Sequence, residues 1–247
     1  MKPSVVILAK NEEASIKRCI KSVKSLASEL VVVDDESSDE TAKIAKEEGA
    51  KVVLHKLNDF ASQRALGDEQ VKGDWILHID ADEELSLNLQ KEIRELSESG
   101  NLAYYLRRRE FFWATEVKHG EVAVARHRGF LRLYKRGSGS WNGAVHETFV
   151  TDVETRRLDE FIDHRPHQNI AEFLTDINYY STIRASELKD QGVTVNMFML
   201  TVQPIAKFLH AYFLKIGFKD GPAGFVYAFM MSFHSFLARA KLYLLTS

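Results

Sequence analysis

In the first hundred residues, short apolar segments alternate with stretches of helical periodicity, and this alternation constrains the fold more than any other feature. Apolar segments of this length, bounded by polar residues, are typical of buried strands. Strands that alternate with helices pair in parallel through right-handed crossovers. The sequence therefore predicts an α/β fold with a mainly parallel central sheet. The expected strands cover residues 4–8, 30–33, 51–54 and 74–79, and the expected helices cover residues 16–26, 37–48, 60–71 and 86–97.

Two of these helices carry recognisable start signals. Ser37 and Glu40 have the spacing of a capping box, which predicts that the second helix begins beside Ser37. Gly49 is expected to close that helix. Ser86 is expected to cap the fourth helix.

Polar side chains follow three of the expected strands, at the point where each strand ends. In an open parallel sheet, ligands bind at the carboxyl ends of the strands. One such cluster is typical of a turn or a helix cap, but three on one sheet edge indicate a ligand site. Closely spaced carboxylates are compensated by a divalent cation bound through oxygen. The three clusters are Lys10-Asn11-Glu12, Asp34-Asp35 and Asp80-Ala81-Asp82.

Composition and missing motifs exclude several classes. The formal net charge is −2, which gives no basic field for nucleic acid. The chain has neither a GxGxxG nor a GxxxxGK[ST] motif, so dinucleotide oxidoreductases and P-loop enzymes lose support. Cys19 is the only cysteine, which fits a reducing compartment. The apolar stretch near Met1 is too short for a signal peptide, so the catalytic part is expected to stay in the cytoplasm.

These motifs resemble the family-two inverting glycosyltransferases of GT-A fold. The resemblance rests on residues 5–12 (VVILAKNE), 32–41 (VVDDESSDET) and 73–83 (GDWILHIDADE). Later residues, Arg132-Leu133 and 141–147 (WNGAVHE), are similar to a narrower branch that includes lipopolysaccharide-core glucosyltransferases of the WaaE type. The branch implies UDP-glucose as donor and a lipid-linked core saccharide as acceptor.

The resemblance also implies roles for individual residues. It places Asn11 and Glu12, with Asp34, along the nucleotide pocket, and Asp35 against the uracil ring. Arg64 would lie against the nucleotide or its phosphates, although a solvated helix face is the alternative. Of the DxD pair, Asp80 is expected near the ribose and Asp82 on a Mg²⁺ or Mn²⁺ ion that bridges the phosphates and assists the leaving group.

An inverting transfer also needs a base that takes the proton of the acceptor hydroxyl. The branch resemblance makes Glu147 the candidate base, and His146 would orient it, contact the phosphates or bind the metal. The alternatives are an ordinary salt bridge for Glu147 and a satisfied core position for His146. Asp163-His164 is a second candidate pair.

A basic run, Arg107-Arg108-Arg109, lies on a strand expected at residues 103–109. Such a run would attract an anionic acceptor. A partly solvated strand edge is the alternative.

The last part of the chain differs in composition. We expect a catalytic domain at residues 1–168, with its nucleotide-binding half at 1–100 and its acceptor half at 101–168, and a helical region at 169–247. Residues 222–238 contain no charged side chain, whereas Lys207 and Lys215 interrupt the preceding apolar stretch. That pattern favours two helices that lie on the inner face of the cytoplasmic membrane. A buried helical hairpin is the alternative.

Two other functions compete with the transferase. A nucleotidyltransferase also uses paired carboxylates and a metal, but it would carry a basic, glycine-rich N-terminal loop, and residues 8–12 (LAKNE) contain no glycine. A non-catalytic membrane scaffold on a degenerate transferase fold is the third possibility, against which the intact acidic motifs argue.

Overall fold

The computed structural model describes residues 1–97, 99–100, 102–143, 147–167 and 169–246. Its contacts divide the chain into two compact units. The first unit comprises Met1–Arg109 and Ala125–His164, and the second comprises Glu110–Val124 and Arg165–Ser247. The contacts thus group residues 110–124 with the C-terminal helices, which the sequence-based division at residue 168 does not do.

The strands of the described residues form a nine-stranded sheet and a separate two-stranded one. The large sheet has the order β3-β2-β1-β4-β8-β6-β11-β5, with β7 paired to β6, and the small sheet joins β9 and β10. The strands are β1 (Ser4–Ala9), β2 (Glu29–Asp34), β3 (Lys51–Leu54), β4 (Trp75–Asp80), β5 (Glu83–Leu85), β6 (Leu102–Phe112), β7 (Thr115–Val117), β8 (Phe130–Lys135), β9 (Gly139–Asn142), β10 (Thr148–Thr151) and β11 (Glu154–His164).

The first four strands pair in parallel, as the alternating pattern predicts. β1 lies between β2 and β4, and β3 flanks β2. All six residues of β1 are buried, because helices cover both faces of a parallel sheet and leave no solvated side. β8 then pairs antiparallel with β4, and β6 antiparallel with β8. The α/β fold with a mainly parallel first half is therefore confirmed.

Several helices start where a polar side chain accepts a hydrogen bond from a free backbone N–H group. Asp59 caps α3, Ser86 caps α4 and Asn169 caps α6. The helices are α1 (Ile16–Val23), α2 (Thr41–Glu47), α3 (Phe60–Gln70), α4 (Leu87–Glu95), α5 (Ala123–His127), α6 (Ile170–Asp190), α7 (Met197–Leu209) and α8 (Gly221–Thr246).

The capping box predicted at Ser37 is wrong. The N-cap residue of α2 is Glu40, and it makes no side-chain capping bond. Ser37 instead donates its hydroxyl to Asp34 Oδ2 at 2.6 Å. Because its hydroxyl bonds to a residue at the end of the preceding strand, Ser37 stabilises the turn and does not cap the helix.

In the second unit, α8 packs along both α6 and α7. One face of α8 carries small buried residues, among them Ala223, Ala228 and Ala238. The apolar cluster there also includes Phe112 and Phe173. The chain between α7 and α8 turns at Ile216, which has a φ of +52°. Two apolar helices joined by a turn were predicted. The buried face of α8 forms part of the apolar core of the second unit.

Candidate functional site

The three polar clusters meet at one edge of the sheet. β1 ends between its two neighbours, with Ala9 opposite Asp34 and Leu8 opposite Asp80. The backbone N–H of Asp35 donates to the carbonyl of Ala9 at 2.9 Å, and that of Ala81 donates to the carbonyl of Leu8 at 3.0 Å. Three parallel strands that end side by side bring the polar residues after them into one site, as the sequence predicts.

Arg64 lies at the centre of this edge. It belongs to α3, which approaches the sheet closely because Gly67, one turn later, has no side chain. A Cβ at Gly67 would lie 2.4 Å from Val6 Cγ1. The guanidinium is almost completely buried, with 1% of the residue exposed. The solvated helix face considered for Arg64 is therefore ruled out.

The Arg64 guanidinium joins two carboxylates that are distant in sequence. Its Nη2 donates to Asp80 Oδ1 at 2.7 Å and its Nε donates to Glu147 Oε1 at 2.7 Å. Burial alone would lower the pKa of Arg64, but the charges of Asp80 and Glu147 outweigh burial and raise that pKa above its ordinary value. The side chain is thus a fixed cation.

A second arginine completes the surroundings of Asp80. Arg132, on β8, donates from Nη2 to Asp80 Oδ2 at 3.1 Å. Burial raises the pKa of the Asp80 carboxyl, but Arg132 and Arg64 together outweigh burial and hold the pKa below its usual range. The Nη1 atoms of Arg64 and Arg132 are buried and have no hydrogen-bond partner among the described residues. Two buried N–H donors at one edge fit an anion such as a diphosphate.

Asp82, the predicted metal ligand, pairs with a histidine from the far end of the sheet. Its Oδ2 lies 2.9 Å from His164 Nε2. The pairing of β11 with β5 sets this contact, since His164 lies opposite Glu83. Burial, and then the charge of Asp80, raise the pKa of the Glu83 carboxyl. His164 was only a secondary candidate in the sequence, yet the structure places it in the DxD cluster.

The ends of β1 and β2 hold an unusual backbone. Asn11 and Glu36 have φ values of +53° and +49°, a region that non-glycine residues rarely occupy and that is enriched at functional sites. Asn11 Oδ1 accepts from the backbone of Ser38 at 2.8 Å. The backbone N–H of Glu12 donates to Thr41 Oγ1 at 2.7 Å. These bonds tie the loop after β1 to the loop after β2.

The two aspartates after β2 have different partners. Asp34 is buried, and both of its oxygens accept from Ser37, from the backbone N–H at 2.8 Å and from the hydroxyl. Asp34 therefore holds the turn. Asp35 Oδ1 accepts from the backbone of Leu57 at 2.8 Å, and its Oδ2 lies 3.5 Å from Lys10 Nζ. The predicted uracil contact of Asp35 stays a prediction.

Glu147 lies beside Arg64 with a tenth of its side chain exposed. A carboxylate has two oxygens, and Arg64 engages Oε1. The salt bridge considered for Glu147 is therefore present, and the role of base stays a prediction. His146 lies outside the described residues.

A network of polar side chains next to Arg64, which joins Trp141, Tyr134, Asp68 and His78, was not predicted from the sequence. The Trp141 ring lies 5.1 Å from the Arg64 guanidinium, and Trp141 Nε1 donates to the Tyr134 hydroxyl at 2.8 Å. That hydroxyl lies 2.9 Å from both oxygens of Asp68, which also contacts His78 Nε2 at 2.6 Å. The bond from Trp141 Nε1 to Tyr134 and the bond from Tyr134 to Asp68 hold the Trp141 ring in place.

Comparisons with known proteins identify the family of the chain. Residues 4–150 match the model of glycosyl transferase family 2. The lipopolysaccharide core biosynthesis glycosyltransferase LpsC of Rhizobium meliloti is 30% identical over 252 residues, covering 97% of this chain and 91% of LpsC. Glycosyltransferase RT0209 of Rickettsia typhi is 34% identical, covering 98% of this chain and 86% of the relative. Among solved structures, Staphylococcus aureus TarS 1–349 shares 14% identity over 98% of this chain and 88% of its own, with a TM-score of 0.47.

Proposed function

The chain belongs to glycosyl transferase family 2 and is a glycosyltransferase, and we propose that it transfers glucose from UDP-glucose, with inversion, to a lipid-linked saccharide such as a lipopolysaccharide core. The observation that carries the proposal is the meeting of Asp80, Asp82 and Glu147 with the buried Arg64 at one sheet edge. The similarity to LpsC over nearly the whole chain supports the acceptor class.

The two buried arginines suit the diphosphate of the donor. Arg64 and Arg132 each keep one buried Nη1 atom without a partner within the described part of the chain. A guanidinium binds phosphate through paired, charge-assisted hydrogen bonds. Both groups would balance the negative charge that develops on the departing diphosphate, which is electrostatic stabilisation of the transition state.

The acidic residues fit a divalent metal ion whose remaining ligands would come from the substrate. No cluster of three or more His, Cys, Asp and Glu side chains that could hold a metal occurs within the described ranges. Asp82 and His164, with Oδ2 and Nε2 2.9 Å apart, form a two-residue donor set. Mg²⁺ is commonly held by one or two carboxylates and by substrate phosphates, and Mn²⁺ also prefers carboxylate and other oxygen ligands, so Asp82 would be the main protein ligand. When bound, such an ion supplies Lewis-acid assistance to the leaving diphosphate.

Glu147 is the proposed base. In the displacement, the base takes the proton of the acceptor hydroxyl, and the hydroxyl oxygen forms a bond to the anomeric carbon. The bond from that carbon to the diphosphate breaks, and the diphosphate leaves with the electron pair. Arg64 holds Glu147 by one oxygen, so its carboxylate is oriented by the same group that contacts Asp80.

The second unit supports a place on the membrane. Within the described residues, α7 together with the helical turn that continues it (His210–Leu214) is the one helical segment long and apolar enough to cross a membrane, and only 11% of it is buried. Lys207 and Lys215 lie within and directly after it, which favours an interfacial position beside anionic lipids. Exposed apolar side chains recur along one helical face, at Phe198, Val202, Ile205, Leu209 and Phe213. We therefore propose that the protein is peripheral on the inner face of the cytoplasmic membrane.

The catalytic proposal is tested by release of UDP from UDP-glucose, with Mn²⁺ or with EDTA, and with GDP-mannose as a competing donor. We expect metal-dependent turnover of UDP-glucose. Asp82→Asn should reduce turnover by about 10³-fold, because metal assistance contributes several kcal/mol, while far-UV circular dichroism stays unchanged. Asp159→Asn, at an exposed position of β11, is the matched control. Near-normal turnover by Asp82→Asn would exclude the metal role.

The membrane proposal is tested by flotation with vesicles of phosphatidylcholine, with or without anionic phosphatidylglycerol. Truncation before residue 197 is unsuitable, because it also removes α8, which packs on α6. We expect Ile205→Asp to abolish binding to anionic vesicles. Leu87→Asp places the same charge on another exposed apolar residue, in α4, and should leave binding unchanged. Equal loss in both variants, or no binding by the unaltered chain, would refute the proposal.

A further inference from the structure

Three arginines of the first unit surround one aromatic ring. The guanidinium carbons of Arg107, Arg109 and Arg126 lie 4.1, 5.4 and 5.1 Å from the ring centroid of Phe161. We call these four residues the Phe161 cluster. Each distance lies within the range of a cation–π contact, and three cations that converge on one ring repel one another unless an anion lies among them.

The strand pattern explains the convergence. Side chains alternate along a strand, so Arg107 and Arg109 share one face of β6 while Arg108 has the other. Arg108 accordingly lies over Phe130 and reaches Glu83 at 3.4 Å. The basic run of the sequence is thus divided between two faces, and only its outer members enter the Phe161 cluster.

The three arginines differ in their polar partners: Arg109 and Arg126 are partnered, whereas Arg107 has a buried N–H group without an acceptor. Asp163 Oδ1 accepts from Arg109 Nε at 2.7 Å. Arg107 makes no ion pair or side-chain hydrogen bond within the described ranges, and its Nε atom is buried without a partner. A buried guanidinium N–H that lacks an acceptor is costly, and a phosphate or carboxylate from a ligand would supply that acceptor.

The position of the cluster connects it with the transfer site. β6 pairs with β8 at Leu106 and Phe130, near the end of β8 from which Arg132 reaches Asp80. Phe161 precedes the Asp82 partner His164 by three positions, which is about 10 Å along β11. The cluster is therefore at the same sheet edge as the donor site, but on residues that the donor site does not use.

We propose that the Phe161 cluster binds an anionic group, a phosphate or a carboxylate, carried by the saccharide acceptor. The proposal rests on the proposed transferase function and adds the chemical class of the acceptor. Planar guanidinium groups bind carboxylate and phosphate through two parallel hydrogen bonds. The members of the cluster are not residues of the proposed donor site, so the anionic group would be bound apart from the donor diphosphate.

Isothermal titration with sugar probes tests the proposal. The full chain is first saturated with UDP and Mn²⁺, so that the donor site is occupied. Glucose 6-phosphate and glucuronate are the anionic probes, and glucose is the neutral one. We expect at least one anionic probe to bind and glucose to bind about 10-fold more weakly or not at all, since hydrogen bonds to charged groups are stronger than neutral ones.

Variants then locate the site. Arg107→Gln should weaken the anionic probe about 10-fold or more, and Arg126→Gln repeats the test should Arg107→Gln fold poorly. Arg156→Gln is the matched control, because Arg156 is exposed and paired with Glu154; it should change the affinity less than twofold.

Two results would overturn the proposal: equal binding of glucose and both anionic sugars, or equal weakening by Arg107→Gln and Arg156→Gln. UDP affinity, measured without sugar for each protein, separates this proposal from the transferase one. We expect UDP affinity to stay within twofold in the cluster variants. If the unaltered chain does not bind UDP, the proposed donor site is refuted instead.

Discussion

Replacement of Arg64 by methionine is expected to be the most damaging single change at the sheet edge. Methionine is also unbranched and fills much of the same space, but it leaves Asp80 and Glu147 without their shared cation. The two carboxylates differ in what remains to them. Asp80 keeps Arg132 at 3.1 Å and has 29% of its side chain exposed, whereas the Glu147 side chain is only 10% exposed.

The size of the loss follows from that burial. Removing one partner of a buried ion pair costs about 3–5 kcal/mol, because the remaining charge stays desolvated. Most of the loss should come from Glu147. The double variant Arg64→Met/Glu147→Leu should therefore recover most of the stability, since apolar replacement of a whole buried pair is often nearly neutral. Arg156→Met, which removes an exposed arginine, should cost at most about 1 kcal/mol.

Urea denaturation followed by far-UV circular dichroism measures these differences, with the slope m checked for constancy. UDP titration of the same proteins reports the donor site, and Arg64→Met should lose UDP affinity even in the double variant. The reasoning is refuted if Arg64→Met loses less than about 1 kcal/mol, or if the double variant is no more stable than the single one.

Three further changes have defined outcomes. Glu147→Gln should lower turnover by about 10²–10⁴-fold, the usual contribution of a general base, while titration shows UDP-glucose affinity retained; equal loss of both would make Glu147 a donor-site or structural residue. Tyr134→Phe leaves Trp141 Nε1 and Asp68 short of a partner and should cost about 1–3 kcal/mol in urea denaturation. Burial raises the pKa of Glu29, but hydrogen bonds from the Ser4 hydroxyl and two backbone N–H groups outweigh it and lower that pKa. Because the pKa of Glu29 is lower in the folded state, the ionised carboxylate stabilises the fold; this stabilisation is complete above the unfolded pKa of about 4.3 and is lost as the pH falls. The difference in free energy of unfolding between the native chain and Glu29→Gln should therefore shrink below about pH 4. A difference independent of pH would contradict this.

The sequence predicted the parts of this structure that depend on local pattern. The parallel strands and the three polar strand ends follow from hydrophobic periodicity, and the α4 cap follows from Ser86. The GT-A fold implied by the motif resemblance is confirmed by the family match. The prediction of a capping box at Ser37 failed for a physical reason. The Ser37 hydroxyl can accept from the helix N–H groups or donate to the Asp34 carboxylate, as it does here, and the spacing of residues alone does not distinguish the two.

Contacts between distant segments were beyond the sequence. Arg132 belongs to a motif that the sequence analysis quoted, but no role was predicted for it. The neighbouring residues do not indicate that Arg132, on β8, contacts Asp80, which is 52 positions earlier. The helical tail shows the same limit. Both apolar segments were expected at the membrane, and that expectation stays a prediction; the sequence did not show that one face of α8 has small side chains that pack into a core. Both helices also keep exposed apolar side chains, such as Ile205 on α7 and Phe229 on α8.

The contacts of Arg64 suggest why this glycosyltransferase buries an arginine among carboxylates. Arg64 engages Asp80, a member of the DxD pair, and Glu147, the proposed base, which is 83 positions away in sequence. A diphosphate that binds the free Nη1 of Arg64 also fixes the guanidinium plane, because the fork is rigid. The orientation of Glu147 then depends on the same side chain that receives the donor. On the proposed mechanism, Arg64 would couple donor binding to the position of the base, and this coupling would be lost with lysine, whose ammonium is a point charge without a fork. Arg64→Lys should accordingly retain more UDP affinity than Arg64→Met, yet transfer as slowly as Glu147→Gln.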